Sequence, residues 1–87
     1  MDFTVYILRT SSNTFYTGQT NNLKKRLREH KSKNSKSAKY MRRFKSFELY
    51  YKEDYSTRSQ ALRRESEIKK LSHDQKEALI KKIYRSR

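Results

Sequence analysis

The first regular hydrophobic pattern in the chain runs from Phe3 to Leu8, where β-branched and aromatic residues follow one another without a break. Such a run predicts a strand that is buried largely on both faces. A polar segment, residues 9–14, follows and is typical of a turn. Phe15 to Thr20 then predicts a second short strand, and the two strands most simply form a hairpin.

The register of this hairpin brings three candidate residues together. With the turn centred near Ser12, residues of equal parity pair across it, so Tyr6 and Tyr16 point to the same face. Gly18, the only glycine of the chain, then lies opposite Tyr6. The missing side chain leaves room there for a ring or for a closely approaching substrate backbone, and we assign Gly18 a structural role.

A helix with one apolar face is predicted next. Leu23 and Leu27 are four residues apart and would face the core. Arg26 and His30 each lie three residues beyond one of these leucines, so they border the apolar face and overlook the sheet. Three polar residues directly before the helix are candidate N-caps, namely Thr20, Asn21 and Asn22.

The middle of the chain combines a basic segment with a third predicted strand. Lys31 to Lys39 is low in complexity and has almost nothing to bury, so we interpret it as a basic loop. This loop is as consistent with a solvated charge run as with contacts to phosphates. Phe44 to Tyr51 predicts the third strand. One face of that strand would hold Phe47, Leu49 and Tyr51.

A helix with a carboxylate in its apolar stripe follows. Thr57, with Gln60 three residues later, fits a capping box that opens a helix from Arg58 to Lys70. The apolar stripe of this helix consists of Ala61, Leu62, Ile68 and Leu71. Glu65 falls in the middle of the stripe, where an unpaired carboxylate costs several kcal/mol, so something must compensate it.

The last helix completes the predicted architecture. Ser72 and Gln75 repeat the capping-box signature and open a helix over residues 73–86. Its buried face would consist of Ala78, Leu79, Ile80 and Ile83. The element order β-β-α-β-α-α has no internal repeat or linker, which predicts one α+β domain over residues 1–87. We expect a small three-stranded antiparallel or mixed sheet flanked by helices, with the domain core over residues 3–71.

Size limits how much of this pattern can be functional. A chain of 87 residues buries only about 60 to 65% of the surface that it would expose when unfolded. Seven Tyr and four Phe suit such a thin core, because one aromatic side chain can bury about 150 to 250 Å². Core packing is therefore the simpler explanation for any single tyrosine.

The charge of the chain points to an anionic partner. The formal net charge of +14 opposes compaction by self-repulsion, and such a charge is usually kept for an anionic partner. The excess of positive charge is greatest over residues 23–43, which contain ten basic residues and one acidic residue. The chain has no cysteine and two histidines, which excludes disulfides, thiolate metal sites and a histidine-rich zinc cage. Without a membrane-span pattern or signal-peptide layout, we expect a cytoplasmic protein that does not bind membranes.

Two tripeptides and three further residues carry a family resemblance. The tripeptides are Val5-Tyr6-Ile7 and Tyr16-Thr17-Gly18, and the further residues are Arg26, His30 and Glu65. In order, spacing and element type they resemble the signature of the GIY-YIG nuclease superfamily, in particular its small stand-alone members. The resemblance covers about residues 3–71. It departs from the family pattern at Thr4 or Val5, where a glycine is common, at Thr17, where isoleucine is usual, and after Lys70, where several members have an asparagine.

The resemblance implies a metal-dependent endonuclease that hydrolyses phosphodiester bonds. Tyr6 and Tyr16 would position or deprotonate the attacking water, with either as the base, and His30 would orient a tyrosine or relay that proton. Arg26 suits the phosphoryl oxygens of the transition state, because it is always charged and donates in a fork. Glu65 would hold one divalent ion, Mg²⁺ or Mn²⁺, together with waters and the substrate phosphate.

Nucleic acid is the expected partner, with DNA favoured over RNA. We expect a monomer that selects nicked, flapped or branched DNA with low sequence specificity, or that gains specificity from a protein partner. Basic residues interleaved with an aromatic suit such contacts. The candidates are Lys24, Lys25, Arg28, Lys31, Lys39, Tyr40, Arg42 and Arg43.

Each signature residue also has a simpler explanation when taken alone. Arg26 would be one more solvated base, and His30 a helix C-terminal residue that is favourable to the dipole. Glu65 would pair with Lys69 at i+4, and His73 is expected on the surface. Together the five positions favour the nuclease. The alternative is a non-catalytic basic nucleic-acid-binding module on the same fold, whose binding would depend on salt but not on Glu65.

Overall fold

Strand β1 (Phe3–Thr10) is the central strand of an antiparallel sheet, with β2 (Phe15–Thr20) on one side and β3 (Phe47–Tyr55) on the other. The computed structural model describes residues 2–32 and 46–85, with side chains as far as residue 81. Three helices complete the described chain, α1 (Leu23–Ser32), α2 (Arg58–Lys69) and α3 (His73–Arg85). The predicted α+β class and element order are confirmed, and the sheet is antiparallel throughout.

The burial of β1 on both faces divides the core in two. Val5, Tyr6, Ile7 and Leu8 are all buried, as their unbroken apolar run predicts. Val5 and Ile7 pack on the face that α2 and α3 cover. Tyr6 and Leu8 pack on the opposite face, where the leucines of α1 cover them. The two helical layers therefore meet different sets of side chains from the same strand.

The β1–β2 hairpin has the register that its turn predicts. Tyr6 pairs with Gly18 and Leu8 pairs with Tyr16, so the two signature tyrosines share a face. Asn13 in the turn has a φ of 60°, a left-handed conformation that asparagine tolerates better than most residues. The hairpin thus places Tyr6 and Gly18 directly opposite each other.

Strand β3 contains an irregularity that the sequence did not predict. The register passes from Ile7 opposite Tyr51 to Leu8 opposite Leu49, which leaves Tyr50 as an extra residue. The bulge reverses the alternation of side chains, so Tyr51 packs on the α2 and α3 face. The prediction that Tyr51 shares a face with Phe47 and Leu49 is wrong for this reason. The predicted start of the strand at Phe44 lies outside the described residues, and its end extends to Tyr55.

Helix α2 begins as predicted and packs through a narrow face. The Thr57 hydroxyl accepts a hydrogen bond from the Gln60 N–H (3.2 Å), which is one half of the predicted capping box. Ala61 and Ile68, seven residues apart, are buried against the sheet. The placement of Leu62 in this stripe is wrong, since Leu62 is 38% exposed. Because α2 contacts the sheet through a single row that contains Ala61 and Ile68, Leu62, one residue beyond Ala61, is turned towards solvent.

Helix α3 has the complete capping box. The Ser72 hydroxyl accepts from the Gln75 N–H (3.2 Å), and the Gln75 Oε1 accepts from the Ser72 N–H (2.9 Å). Ile80 is buried in the core as predicted. Ala78, which we expected on the same face, is exposed because it lies about 200° around the helix from Ile80. The side chain of Ile83 lies outside the described part of the structure.

A carboxylate on β3 ties α2 to the sheet. Arg64 donates from Nε and Nη2 to the two oxygens of Glu53 (2.9 and 3.1 Å). The hydroxyls of Tyr51 and Tyr55 donate to the same carboxylate. Burial alone raises the pKa of Glu53, but the hydrogen bonds from Arg64 and the tyrosines outweigh it and hold the pKa below its usual range. This network fixes the residue next to Glu65 on α2.

Candidate active site

Helix α1 brings His30 over the ring of Tyr6. Its start is fixed by Asn22, whose Oδ1 accepts a hydrogen bond from the Lys25 N–H (3.1 Å) as an N-cap. Farther along, Nε2 of His30 lies 3.1 Å from the hydroxyl oxygen of Tyr6. Tyr6 is 1% exposed and His30 is 0% exposed. We expected His30 at the border of the apolar face, but it is fully buried because the Phe47 ring also packs against it (6.0 Å between centroids).

Tyr16 completes a cluster of three rings on this face of the sheet. Its ring centroid lies 6.4 Å from that of Tyr6 and 5.4 Å from that of His30. Tyr16 is half-buried, whereas Tyr6 and His30 are closed off from solvent. Tyr16 is therefore the signature tyrosine that water or a substrate can reach more readily.

The absence of a side chain at Gly18 makes room for the Tyr6 hydroxyl. A Cβ atom at Gly18 would lie 2.6 Å from Oη and 2.7 Å from Cζ of Tyr6, which is closer than such atoms can approach. Because Tyr6 is buried and its hydroxyl is hydrogen-bonded, its ring has little freedom to move away. Glycine at this position thus permits the contact between Tyr6 and His30.

Arg26 is half-buried beside the Tyr6 hydroxyl. Its Nη1 donates to Oε1 of Glu29 at 3.1 Å, one turn farther along α1. The guanidinium also lies within hydrogen-bonding reach of the Tyr6 hydroxyl. Glu29 is itself half-buried where it pairs with Arg26. The pair holds the guanidinium at the edge of the ring cluster.

Burial decides the protonation of Tyr6 and His30. It raises the pKa of Tyr6 to about 12, with a smaller contribution from Tyr16, and the positive charge of Arg26 offsets this only in part. Burial, with the help of the charge on Arg26, lowers the pKa of His30 to about 4. Both side chains are therefore neutral at pH 7.

The Tyr6 hydroxyl lies between Arg26 and His30. Arg26 can only donate, so the Tyr6 oxygen accepts from Arg26, and the direction of the hydrogen bond between this hydroxyl and Nε2 of His30 is set by the imidazole tautomer. The other imidazole nitrogen, Nδ1, is buried and has no hydrogen-bond partner within residues 2–32 and 46–81. An unpartnered buried polar atom costs about 1 to 3 kcal/mol.

Glu65 approaches this cluster from α2. Its side chain is 18% exposed, and its Oε2 lies 3.4 Å from Nζ of Lys69, the i+4 partner that the sequence offers. Its negative charge acts on the Tyr6 phenol, where it contributes to the raised pKa. A carboxylate such as Glu65 fits Mg²⁺ or Mn²⁺, since these ions complete their coordination with waters and substrate oxygens.

A second group of possible metal ligands lies at the start of α3. One ligand atom from each of His73, Asp74 and Glu77 lies within 4.8 Å of the others. The His73 ring stacks on Phe15 (4.6 Å between centroids), and its Nε2 lies 3.0 Å from the Asn13 carbonyl oxygen. His73 is exposed, as expected. None of the sequence predictions included this group, although the i, i+1, i+4 spacing of its members is visible in the sequence.

The residues proposed to contact nucleic acid divide into two sets. Those on α1 are all exposed, namely Lys24, Lys25, Arg28 and Lys31. The others, namely Lys39, Tyr40, Arg42 and Arg43, lie outside the described residues. The helices of the described chain are too short or too polar to cross a membrane.

Comparison with known proteins gives concordant results. The sequence profile described as the GIY-YIG catalytic domain matches residues 2–84. A UPF0213 protein of Halobacterium salinarum is 41% identical over 76 residues, which span 87% of this chain and 96% of that protein. A UPF0213 protein of Syntrophus aciditrophicus is 44% identical over 77 residues, which span 88% of this chain and 87% of that protein. The solution NMR structure of a UPF0213 protein from Bacillus halodurans, 36% identical, aligns over 93% of this chain and 84% of that chain with a TM-score of 0.60.

Proposed function

This chain belongs to the GIY-YIG family, whose catalytic domain is a nuclease domain, and we propose that it is a divalent-metal-dependent endonuclease that hydrolyses phosphodiester bonds in DNA. One observation carries the proposal. Four of the five signature side chains form one connected cluster, and the charge of the fifth acts on one of them, Tyr6. The four are Tyr6, Tyr16, Arg26 and His30, and the fifth is Glu65.

The two tyrosines have different tasks in this proposal. Tyr6 is a poor base at neutral pH because its pKa is about 12, and its buried hydroxyl is already engaged by Arg26 and His30. Tyr6 instead holds the guanidinium of Arg26, while His30 holds the phenol through Nε2. Tyr16, which is half-buried, contacts the attacking water and takes or directs its proton.

Arg26 and Glu65 supply the charges that phosphodiester hydrolysis needs. Arg26 donates to the non-bridging phosphoryl oxygens and stabilises the charge that develops there. Glu65 holds Mg²⁺ or Mn²⁺, and such an ion, when bound, neutralises phosphoryl charge and lowers the pKa of its water. Lys69 must leave the Glu65 carboxylate for this, which requires breaking one half-exposed ion pair of 3.4 Å.

Structural selectivity with low sequence specificity completes the proposal. The exposed basic side chains of α1 suit contacts with backbone phosphates. Such contacts position a protein on nucleic acid but do not read its sequence. We therefore propose nicked, flapped or branched DNA as the substrate, cut by a cytoplasmic monomer or with a protein partner that adds specificity.

A cleavage assay with a matched pair of variants tests this function. Labelled duplex, nicked, flapped and branched DNA are incubated with the protein in Mg²⁺ or Mn²⁺. Glu65→Gln should abolish cleavage, whereas Glu67→Gln, which removes a more exposed carboxylate from the same helix, should retain it. Cleavage that survives Glu65→Gln, or that is absent on every substrate with the wild-type protein, would contradict the proposal.

The raised pKa of Tyr6 is also compatible with one alternative function, the binding of nucleic acid without cleavage. A buried phenol that resists ionisation is also compatible with a module that binds nucleic acid without cutting it. Such a module would bind with a steep dependence on salt and without sequence preference. Its binding would be unaffected by a chelator, and no variant of Glu65 would change the integrity of the DNA.

A further inference from the structure

An open cleft of about 340 Å³ lies between the edge strand β2 and the corner where α2 meets α3. Its lining consists of Phe15, Tyr16, Thr17, Lys69 and Lys76. Two helices thus each contribute one lysine to a cleft whose other wall contains a signature tyrosine. None of the roles proposed above uses Lys76.

Lys76 is an unusual lysine within this basic chain. It is half-buried, and no carboxylate of the described residues forms an ion pair with it. Burial lowers the pKa of Lys76, and the neighbouring charge of Lys69 lowers it further. Two ammonium groups that repel each other in a partly desolvated cleft are stabilised by an anion between them.

The cleft also holds an unused hydroxyl. Thr17 is 4% exposed, and its Oγ1 has no hydrogen-bond partner within the described part of the chain. A hydroxyl and two ammonium groups form a donor set that matches the oxygens of a phosphate group. The Phe15 ring adds an apolar wall to the cleft.

The position of the cleft relates it to the proposed active site. Tyr16 lines the cleft and also packs against Tyr6 and His30. Lys69 lines the cleft and forms an ion pair with Glu65. The basic surface of α1 and the cleft lie on opposite faces of the sheet and meet at its edge strand β2. A strand of nucleic acid that crosses this edge at Tyr16 would pass from the basic surface of α1 to the cleft.

We propose that this cleft is a phosphate subsite, in which Lys76 and Lys69 bind the backbone phosphate that neighbours the bond to be cut. The proposal rests on the proposed nuclease function, because that function identifies the strand passing Tyr16 as nucleic acid. The subsite positions the strand on the side of Tyr16 remote from α1.

Equilibrium binding without cleavage tests the subsite. Fluorescence anisotropy of a labelled nicked duplex is measured in EDTA at several salt concentrations. Lys76→Gln should weaken binding about three- to tenfold and lower the slope of log affinity against log salt by about 1. Lys81→Gln, which removes an exposed charge from the same helix, should change the affinity less than about twofold. Lys76→Arg should bind as the wild type does.

Thermal unfolding separates this role from a structural one. Lys76→Gln removes one of two charges that repel each other, so its melting temperature at low salt should equal or exceed that of the wild type. Weaker binding together with unimpaired stability supports the subsite. Equal affinities for Lys76→Gln and Lys81→Gln, or a loss of binding that follows a loss of stability, overturns it.

The outcome for the subsite can be distinguished from the outcome for the enzyme. If Lys76→Gln behaves like Lys81→Gln while Glu65→Gln abolishes cleavage, the subsite is wrong and the nuclease remains. If no DNA is cut but Lys76→Gln selectively weakens binding, the cleft binds phosphate in a protein that does not cleave. In that case its assignment next to a cut bond is overturned.

Discussion

The hydroxyl oxygen of Tyr6 lies 3.1 Å from Nε2 of His30, and neither side chain is accessible to solvent. The pair joins the central strand of the sheet to the helix that also carries Arg26. Because Arg26 is within hydrogen-bonding reach of the same hydroxyl, the three side chains form one hydrogen-bonded group centred on Tyr6. A change in any one of them therefore alters the orientation of the other two.

The stability of the fold should depend on pH through His30. Its pKa is about 4 in the folded protein and about 6.5 in the unfolded chain, so the unfolded state binds more protons between these values. The free energy of unfolding should consequently fall as the pH decreases from 6.5 to 4, by up to about 1.4 kcal/mol per pH unit. Urea denaturation at pH 4 to 7 measures this slope.

Two histidine variants provide the control for that slope. His30→Gln should be less stable at pH 7, since it removes the partner of the Tyr6 hydroxyl, but its stability should vary less with pH. His73→Gln, which changes the exposed histidine, should keep the slope of the wild type. An identical slope in wild type and His30→Gln would show that His30 does not titrate in this range.

Substitution of Gly18 should damage the site through Tyr6. A methyl group at Gly18 would lie 2.6 Å from the Tyr6 hydroxyl, so Gly18→Ala must displace a buried ring. Overpacking of this kind costs about 1 to 3 kcal/mol, measured as a loss in the free energy of unfolding. Tyr6→Phe removes the closest atom and should partly restore the stability of Gly18→Ala in the double variant. Additive losses in the two variants would contradict this contact as the cause.

The sequence predicted the hairpin well because its register depends on short-range rules. Residues of equal parity pair across a turn, and this alone placed Gly18 opposite Tyr6. The faces of β3 were not predictable in this way, since one extra residue at Tyr50 reverses the alternation without a signal in the hydrophobic pattern. Tyr51 was assigned to the wrong face for that reason.

The burial of polar residues was harder to predict than their proximity. Helical spacing placed His30 at the border of an apolar face, but its complete burial depends on rings from β1, β2 and β3. These strands come together with α1 only in the folded chain. Lys76 is a comparable case, because its half-burial depends on how α3 packs beside α2. Local periodicity contains no information on either packing.

Removing the hydroxyl of Tyr16 and removing that of Tyr6 should have different effects on activity and stability. Tyr16→Phe should reduce kcat for DNA cleavage by about 100-fold or more with little change in stability, because its hydroxyl is proposed to act on the attacking water. Tyr6→Phe should lose about 1 kcal/mol of stability as well as activity, since it leaves Nε2 of His30 without its hydrogen-bond partner. Parallel measurement of kcat, KM and urea midpoints distinguishes the two. Equal losses of stability would contradict this division of roles.

The Lys69–Glu65 ion pair should compete with the divalent ion. Lys69 Nζ lies 3.4 Å from the carboxylate that is proposed to hold Mg²⁺ or Mn²⁺, so binding of the ion requires this pair to break. An i+4 pair of this kind contributes about 0.3 to 0.5 kcal/mol, and Lys69→Gln should therefore tighten Mn²⁺ binding about twofold. Isothermal titration calorimetry without DNA measures the affinity directly.

Three further variants decide where the ion binds in that titration. Lys70→Gln, which removes the neighbouring exposed lysine, should leave the Mn²⁺ affinity close to that of the wild type. Glu65→Gln should abolish binding, whereas His73→Gln should not, because the group at the start of α3 is distinct from the proposed catalytic carboxylate. Loss of binding in His73→Gln and its retention in Glu65→Gln would move the ion to α3. Glu65 would then act on the phenol of Tyr6 only through its own charge.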